Sequence, residues 1–258
     1  MYIESAANDR VRAWARLKTR RGRTQQRAFL AEGPRQLQEA LAARVEILAV
    51  LWDVSRDELD TEVQRELARR SIPFVELSPQ AFAAVSDTVT PQGVISVIRL
   101  PEPGAVKLPA RCVMLDGIQD PGNVGTLLRT AEAFGLTHVC CAKGTADPFS
   151  PKVVRAAMGG LFRLTVIEQS ALDFVRDWRA EWPDGQVLAA GADGSAECHR
   201  LDYRRPTLMV IGSEAHGVSQ LVQQAADHEV RIPMPGGAES LNAAVAGAIL
   251  LYEMTRPT

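Results

Sequence analysis

The sequence contains little that would serve metal or redox chemistry. Among 258 residues there are four cysteines, Cys112, Cys140, Cys141 and Cys198, and no C-x-x-C pair. His138, His199, His216 and His228 are scattered without metal-ligand spacing. Reduced core thiols and no metal site are therefore expected. No apolar run approaches the roughly 20 residues of a membrane-spanning helix, so no membrane partner is expected. The opening Met1-Tyr2-Ile3-Glu4 soon turns basic and lacks the apolar core of a secretory leader, which makes a cytoplasmic location the expectation. Gly-Lys-Ser/Thr is missing from the strand-to-helix turns, as is a proper G-x-G-x-x-G, which counts against a P-loop or dinucleotide site.

The composition, 46% hydrophobic and 23% charged, is that of a folded globular chain long enough for two modest domains. A net charge of −2 argues against a protein that coats nucleic acid indiscriminately, but the charge is uneven. Residues 1–30 carry Arg10, Arg12, Arg16, Lys18, Arg20, Arg21, Arg23 and Arg27 against only Glu4 and Asp9. A block of this kind suits contact with nucleic-acid phosphates, and equally a solvated helix face. The candidates for RNA contact are Arg10, Lys18, Arg20, Arg21, Arg23 and Arg27.

Along residues 1–100, Asn8 or Asp9 can cap a first helix whose Val11, Trp14 and Leu17 form one apolar stripe. A second helix is expected from Gly33-Pro34, with Pro34 tolerated in the first turn. Strands are expected over 45–52, 72–75 and 93–100, with helices over 57–69 and from Ser78-Pro79. This reads as a small α/β domain. Pro101-Glu102-Pro103-Gly104 and Pro109 mark a linker over 101–110. From 111 to 258 strands expected at 112–115, 138–142, 162–167, 187–190, 208–211 and 229–232 alternate with helices, the last over 241–254. That alternation predicts a parallel sheet covered on both faces, with ligands at the carboxyl ends of its strands.

Three loops at such ends hold the unusual residues. The first runs from Asp116 through Pro121, Asn123 and Gly125 to Arg129, a glycine-bearing turn into a helix whose free amides suit an anion. In the second, Gly212 and Gly217 bracket Glu214 just after an apolar strand, where Glu214 can also cap the next helix. The third spans Ile232 to Asn242, with two prolines and two glycines fixing its path and Ser240 placed to cap the final helix. Asn242 is a poor helix former in an otherwise Ala/Leu-rich run.

Together these loops resemble the three motifs of the SpoU family of RNA 2'-O-ribose methyltransferases, within the SPOUT superclass. The matching elements are Asn123-x-Gly125-x-x-x-Arg129, Ile211-Gly212-Ser213-Glu214-x-x-Gly217, and Ile232-Pro233-Met234 with Ser240-Leu241-Asn242-Ala243-x-x-Ala246. The segment Ser150-Pro151-Lys152 to Gly159 is also similar to the family. Asn8, Arg27, Phe29, Glu32 and Gly33 resemble an appended RNA-binding domain like a large-subunit ribosomal protein.

The resemblance implies a deep trefoil knot in the 111–258 domain, against the general avoidance of knots. It implies S-adenosylmethionine (AdoMet) as methyl donor, bound around Ile211, Gly212, Gly217, Ile232, Met234, Leu241 and Ala246. It also implies a homodimer built through that domain. Arg129 is then the group acting on the 2'-hydroxyl, as base or as a fork on the adjacent phosphate. Asn123 would orient Arg129 or the ribose, while Glu214, Ser240 and Asn242 order the catalytic loops. The appended domain favours ribosomal (23S) RNA as substrate over tRNA. The competing readings are a non-catalytic RNA-binding or ribosome assembly factor, and a doubly wound nucleotide enzyme. The intact motifs oppose the first. The strand end Cys140-Cys141-Ala142-Lys143, which lacks the acidic residue of a dinucleotide site, opposes the second.

Overall fold

The computed structural model describes residues 1–56, 59–102, 104, 107–236 and 239–256. Pro103 in the expected linker, Asp57 at the expected helix start, and Gly237 and Ala238 of the third loop lie outside the described residues. The chain divides into two compact units, residues 1–103 with 149–162, and residues 104–148 with 163–258.

The first unit begins with β1 (Tyr2–Ile3), α1 (Asp9–Arg16), α2 (Arg20–Gln26), β2 (Ala28–Glu32) and α3 (Pro34–Ala42). It continues through β3 (Ile47–Asp53), α4 (Thr61–Arg69), β4 (Phe74–Leu77), α5 (Pro79–Val85) and β5 (Val94–Arg99). Its five strands form a mixed sheet ordered β1-β4-β3-β5-β2. Asn8 caps α1 by accepting from Arg10 N, and the Val11, Trp14 and Leu17 stripe is buried as its spacing requires. Two short strands, β1 and β2, and the seven-residue α2 carry no periodic signal and were not expected. α2 follows α1 at close quarters: a Cβ on Gly22 would stand 2.0 Å from Arg16 O.

The basic block divides by role. Lys18 Nζ donates to the carbonyls of Ala84 and Ser86, at 2.8 and 3.2 Å. Arg23, only 4% exposed, donates to Leu17 O and Lys18 O, and Arg27 donates to Pro101 O. Arg23 and Lys18, both expected as RNA contacts, satisfy carbonyls that the α1–α2 turn and the end of α5 leave open. Arg10, Arg20 and Arg21 are exposed, with Arg10 lying 5.1 Å over the Trp14 ring.

The second unit opens with β6 (Arg111–Asp116), α6 (Pro121–Ala133) and β7 (His138–Ala142). The chain then enters α7 (Pro151–Ala157), which packs with the first unit: Phe149 and Phe162 lie 5.2 and 6.3 Å from the Phe29 ring, and Gln36 donates to Val154 O. A 3₁₀ turn at Gly160–Arg163 occupies the start of the strand expected at 162–167, so β8 runs Thr165–Gln169. There follow α8 (Ala171–Glu181), β9 (Gln186–Ala190), β10 (Ala196–Glu197), β11 (Thr207–Gly212), α9 (Gln220–Ala225), β12 (His228–Arg231) and α10 (Ala243–Thr255). The seven strands form one sheet, ordered β10-β12-β9-β11-β6-β7-β8, with every pairing parallel. This is the α/β architecture expected of alternating strands and helices.

One face of that sheet buries Met114, Cys140, Val187, Leu208 and Val210 against Phe174, Val175 and Trp178 of α8. All four cysteines are free and buried, and burial pushes the Cys112 thiol up to about 12. Among the described residues no group of three or more His, Cys, Asp or Glu is placed to hold a metal ion.

Candidate active site

Asp120 caps α6 by accepting from Asn123 N at 2.8 Å, with Pro121 in the first turn, so Asn123 sits on the opening turn of a well-anchored helix. Beyond β11 the chain folds back sharply: Ser213 and Gly217 exchange backbone hydrogen bonds of 3.1 and 2.8 Å. Only glycine fits at 212, because a Cβ there would stand 2.0 Å from Gly217 C and 2.1 Å from Val218 N. Glu214 therefore sits at the tip of a pinched loop. It does not cap the next helix, whose N-cap position is held by Ser219.

The final helix corrects a second expectation. Asn242 lies at its N-cap, not within it, and accepts from Ala244 N and Val245 N at 2.9 and 3.3 Å. Ser240, expected as the cap, stands two residues earlier. The weak helix propensity of asparagine suits the cap position, where its side-chain oxygen replaces a missing backbone acceptor.

The caps bring the three loops together. Since Asn242 Oδ1 faces its own helix, its amide nitrogen is left to donate, and does so to Asn123 Oδ1 at 3.1 Å. Asn123 Oδ1 is thus the acceptor, which turns its Nδ2 toward Glu214 Oε1, to which it donates. One directed chain, Asn242 to Asn123 to Glu214, ties residues up to 119 positions apart.

Beside this chain lies a cavity of about 230 Å³ at the carboxyl ends of β9 and β11. All seven residues expected around a cofactor line it: Ile211, Gly212, Gly217, Ile232, Met234, Leu241 and Ala246. Glu214 and Ser240 line it too. Ala190, Gly191, Ala192 and Val230, from the ends of β9 and β12, also line it, and sequence reading missed them. The run of small residues Ala189-Ala190-Gly191-Ala192 at the end of β9 is the signal that could have pointed to the first three. Asn123 and Asn242 hold the wall from outside the lining.

Arg129 is not gathered into this group. It is exposed on α6, and among the described residues it has no hydrogen-bond or ion-pair partner. The site of a single chain holds the wall and the loop-ordering residues, and leaves the guanidinium uncommitted.

Asn242 allows its two tasks to be separated. Replacing it with alanine should cost about 1 kcal/mol from the lost cap and also break the link to Asn123. Asn242→Ser keeps a capping oxygen but supplies no amide donor. Thermal unfolding should therefore fall for alanine and hold for serine, while both variants lose the activity of the site. Full activity in the serine variant would show that the cap alone matters.

Comparison with known proteins agrees with this geometry. Residues 110–252 match the SpoU rRNA Methylase family, and residues 8–96 match the MRM3-like substrate binding domain. The chain is 34% identical, over 98% of each chain, to the 23S rRNA (guanosine(2553)-2'-O)-methyltransferase RlmP of Bacillus subtilis. Among solved structures, the SpoU methyltransferase AviRb from Streptomyces viridochromogenes in complex with AdoMet superposes with a TM-score of 0.85 at 31% identity, covering 96% of this chain and 97% of that one. An AdoMet-bound rRNA methyltransferase from Sinorhizobium meliloti gives 0.84 at 29% identity, covering 99% and 97%. With its sheet, its three joined loops and a family match over more than half its length, the chain belongs to the SpoU rRNA methylase family.

Proposed function

We propose that this protein transfers a methyl group from AdoMet to a ribose 2'-hydroxyl of large-subunit ribosomal RNA. The observation that carries the reading is the directed hydrogen-bond chain from Asn242 through Asn123 to Glu214, set against the cavity that Ile211, Ile232, Met234 and Leu241 line. Apolar side chains at strand ends suit a flat adenine ring, and Ser213 and Ser240 offer polar anchors. The Glu214 carboxylate in the wall suits a ligand that carries positive charge. The residues present therefore fit AdoMet, which when bound supplies an electrophilic sulfonium methyl.

The protein's share of the work is alignment and proton management. Arg129 grips the phosphate beside the target ribose through its planar fork, and the hydroxyl proton leaves to phosphate or water. A guanidinium holds its own proton too firmly to serve readily as a base near neutral pH. Asn123, locked between Asn242 and Glu214, fixes the α6 turn from which Arg129 follows two turns later.

Arg129 lies outside the cavity lining of its own chain, and this supports a site completed by a second copy. α10 supports the same reading: Val245 and Tyr252, one heptad apart, are 49% and 52% exposed, an open apolar stripe along the final helix. We place the homodimer contact there, with the Arg129 of one copy serving the cavity of the other. The order of strands, with β11 entering between the earlier β6 and β9, supports a trefoil knot in this unit. Work on ribosomal RNA is consistent with a cytoplasmic protein. The exposed Arg10, Arg20 and Arg21 of the first unit are the candidate RNA contacts, in the part that matches a substrate binding domain.

Calorimetric titration with AdoMet, light scattering, and mapping of 2'-O-methyl groups in total RNA with and without the gene test these points. Saturable AdoMet binding, twice the chain mass, and one methylated nucleotide lost from 23S RNA are expected. Loss of a methyl from tRNA alone would replace the substrate assignment. AdoMet binding without any lost methyl would favour an assembly role.

A further inference from the structure

A second cavity of about 370 Å³ opens at the carboxyl ends of β6, β7 and β11 in the same unit. It shares Ser213, Glu214 and Gly217 with the first, so the pinched loop is a common wall between the two. Its other polar groups are Asp116, Gln119, Lys143, His216 and Ser219. None of the mechanism described above uses Gln119, Lys143 or His216.

We propose that this cavity seats the base of the nucleotide being methylated, and that Gln119 and Lys143 select which base enters. The proposal rests on the methyltransferase reading of the neighbouring cavity. A ribose whose 2'-hydroxyl faces a donor in the first cavity needs room for its base one wall away, and this space adjoins through Glu214.

The charge of the lining decides between a base and a phosphate. Among the described lining residues Lys143 brings one positive charge, while Asp116 and Glu214 bring two negative ones. A phosphodiester would be repelled on balance, whereas a neutral base edge carries donors and acceptors together. The lining matches that mixture. Lys143 only donates, Gln119 donates and accepts, and the buried Asp116 already accepts from Ser219 N at 2.8 Å. Lys143 is exposed and has no partner among the described residues, so its ammonium is available to a base carbonyl.

The backbone leaves space for a flat ring. Gly117 and Gly144, at φ +73° and +98°, turn the chain as it leaves β6 and β7. A Cβ on Gly117 would meet nothing within 4 Å, and one on Gly144 would meet only Gly117 Cα, at 3.7 Å. Bare backbone is thus what a base would lie against, while RNA readers reach splayed-out bases along their polar edges.

The test uses four transcripts of the methylated region that differ only at the target base, with kcat and KM measured for the wild type, Gln119→Ala and Lys143→Met. The wild type should discriminate among the four bases, and each variant should narrow that spread by roughly tenfold, mainly through KM. AdoMet affinity, measured on the same preparations, should not move, since neither side chain lines the first cavity. A wild type indifferent to the base, or variants that weaken all four transcripts equally or not at all, would overturn the base seat. A wild type that binds no AdoMet and methylates no transcript would instead remove the methyltransferase reading beneath it.

Discussion

Arg129→Ala should lower methyl transfer by roughly a hundredfold or more while AdoMet affinity and thermal stability stay near wild type. The separation follows from the position of the side chain. Arg129 is exposed on α6, has no partner among the described residues and does not line the cavity at the ends of β9 and β11, so its removal leaves no buried group unpaired. Under the proposed role its value lies in the transition state, where its fork meets the phosphate beside the ribose. Arg129→Lys refines the result, because lysine keeps the charge and loses the planar fork. An activity near wild type in the lysine variant would exclude both bidentate phosphate grip and a special guanidine base. Single-turnover rates with saturating AdoMet and RNA make the measurement. A loss confined to KM for RNA would mean that Arg129 contributes to uniform binding rather than to the chemical step.

Gly212→Ala should do the opposite, removing AdoMet binding first. An added Cβ would stand about 2 Å from the backbone of Gly217 and Val218, and backbone cannot rotate away as a flexible side-chain end can. The 213–217 loop must lift, breaking the Ser213–Gly217 pair and carrying Glu214 away from Asn123. Overpacking of this kind costs about 1–3 kcal/mol. Because Gly212 and Gly217 both line the cavity, AdoMet affinity should fall roughly tenfold or more, each factor of ten corresponding to about 1.4 kcal/mol. Calorimetric titration and thermal unfolding, read together, distinguish this from general collapse. Unchanged affinity in a folded variant would show that the pinched loop is not the wall of the donor site.

The lower-level features were legible where one residue type has one physical use. Asn8 as a helix cap, Pro34 in a first turn, the Val11–Trp14–Leu17 stripe and the alternating strands and helices of the second unit all follow from local spacing. Reading failed where the same residue type has two uses. A basic block says nothing about which cation closes a turn, so that Lys18 and Arg23 bond carbonyls of their own fold was not foreseen. Ser240 and Asn242 can each cap a helix, and only the geometry of α10 chose between them. Val245 and Tyr252 of α10 stay about half exposed, which the Ala/Leu-rich run did not indicate.

The chain by itself determined the kind of sheet, the strand ends at which the cavities open, and the three loops that carry polar residues, since these depend on periodicity and on glycine and proline at turns. Tertiary structure alone decided that Asn242, Asn123 and Glu214 form one directed chain, that Arg129 stands apart from it, and that a second cavity shares the Glu214 wall. Those outcomes depend on the order in which strands take their places in the sheet. β11 lies beside β6 although some 90 residues separate them, and no local pattern encodes such a pairing, because it is selected by the burial and hydrogen bonding of the whole unit at once.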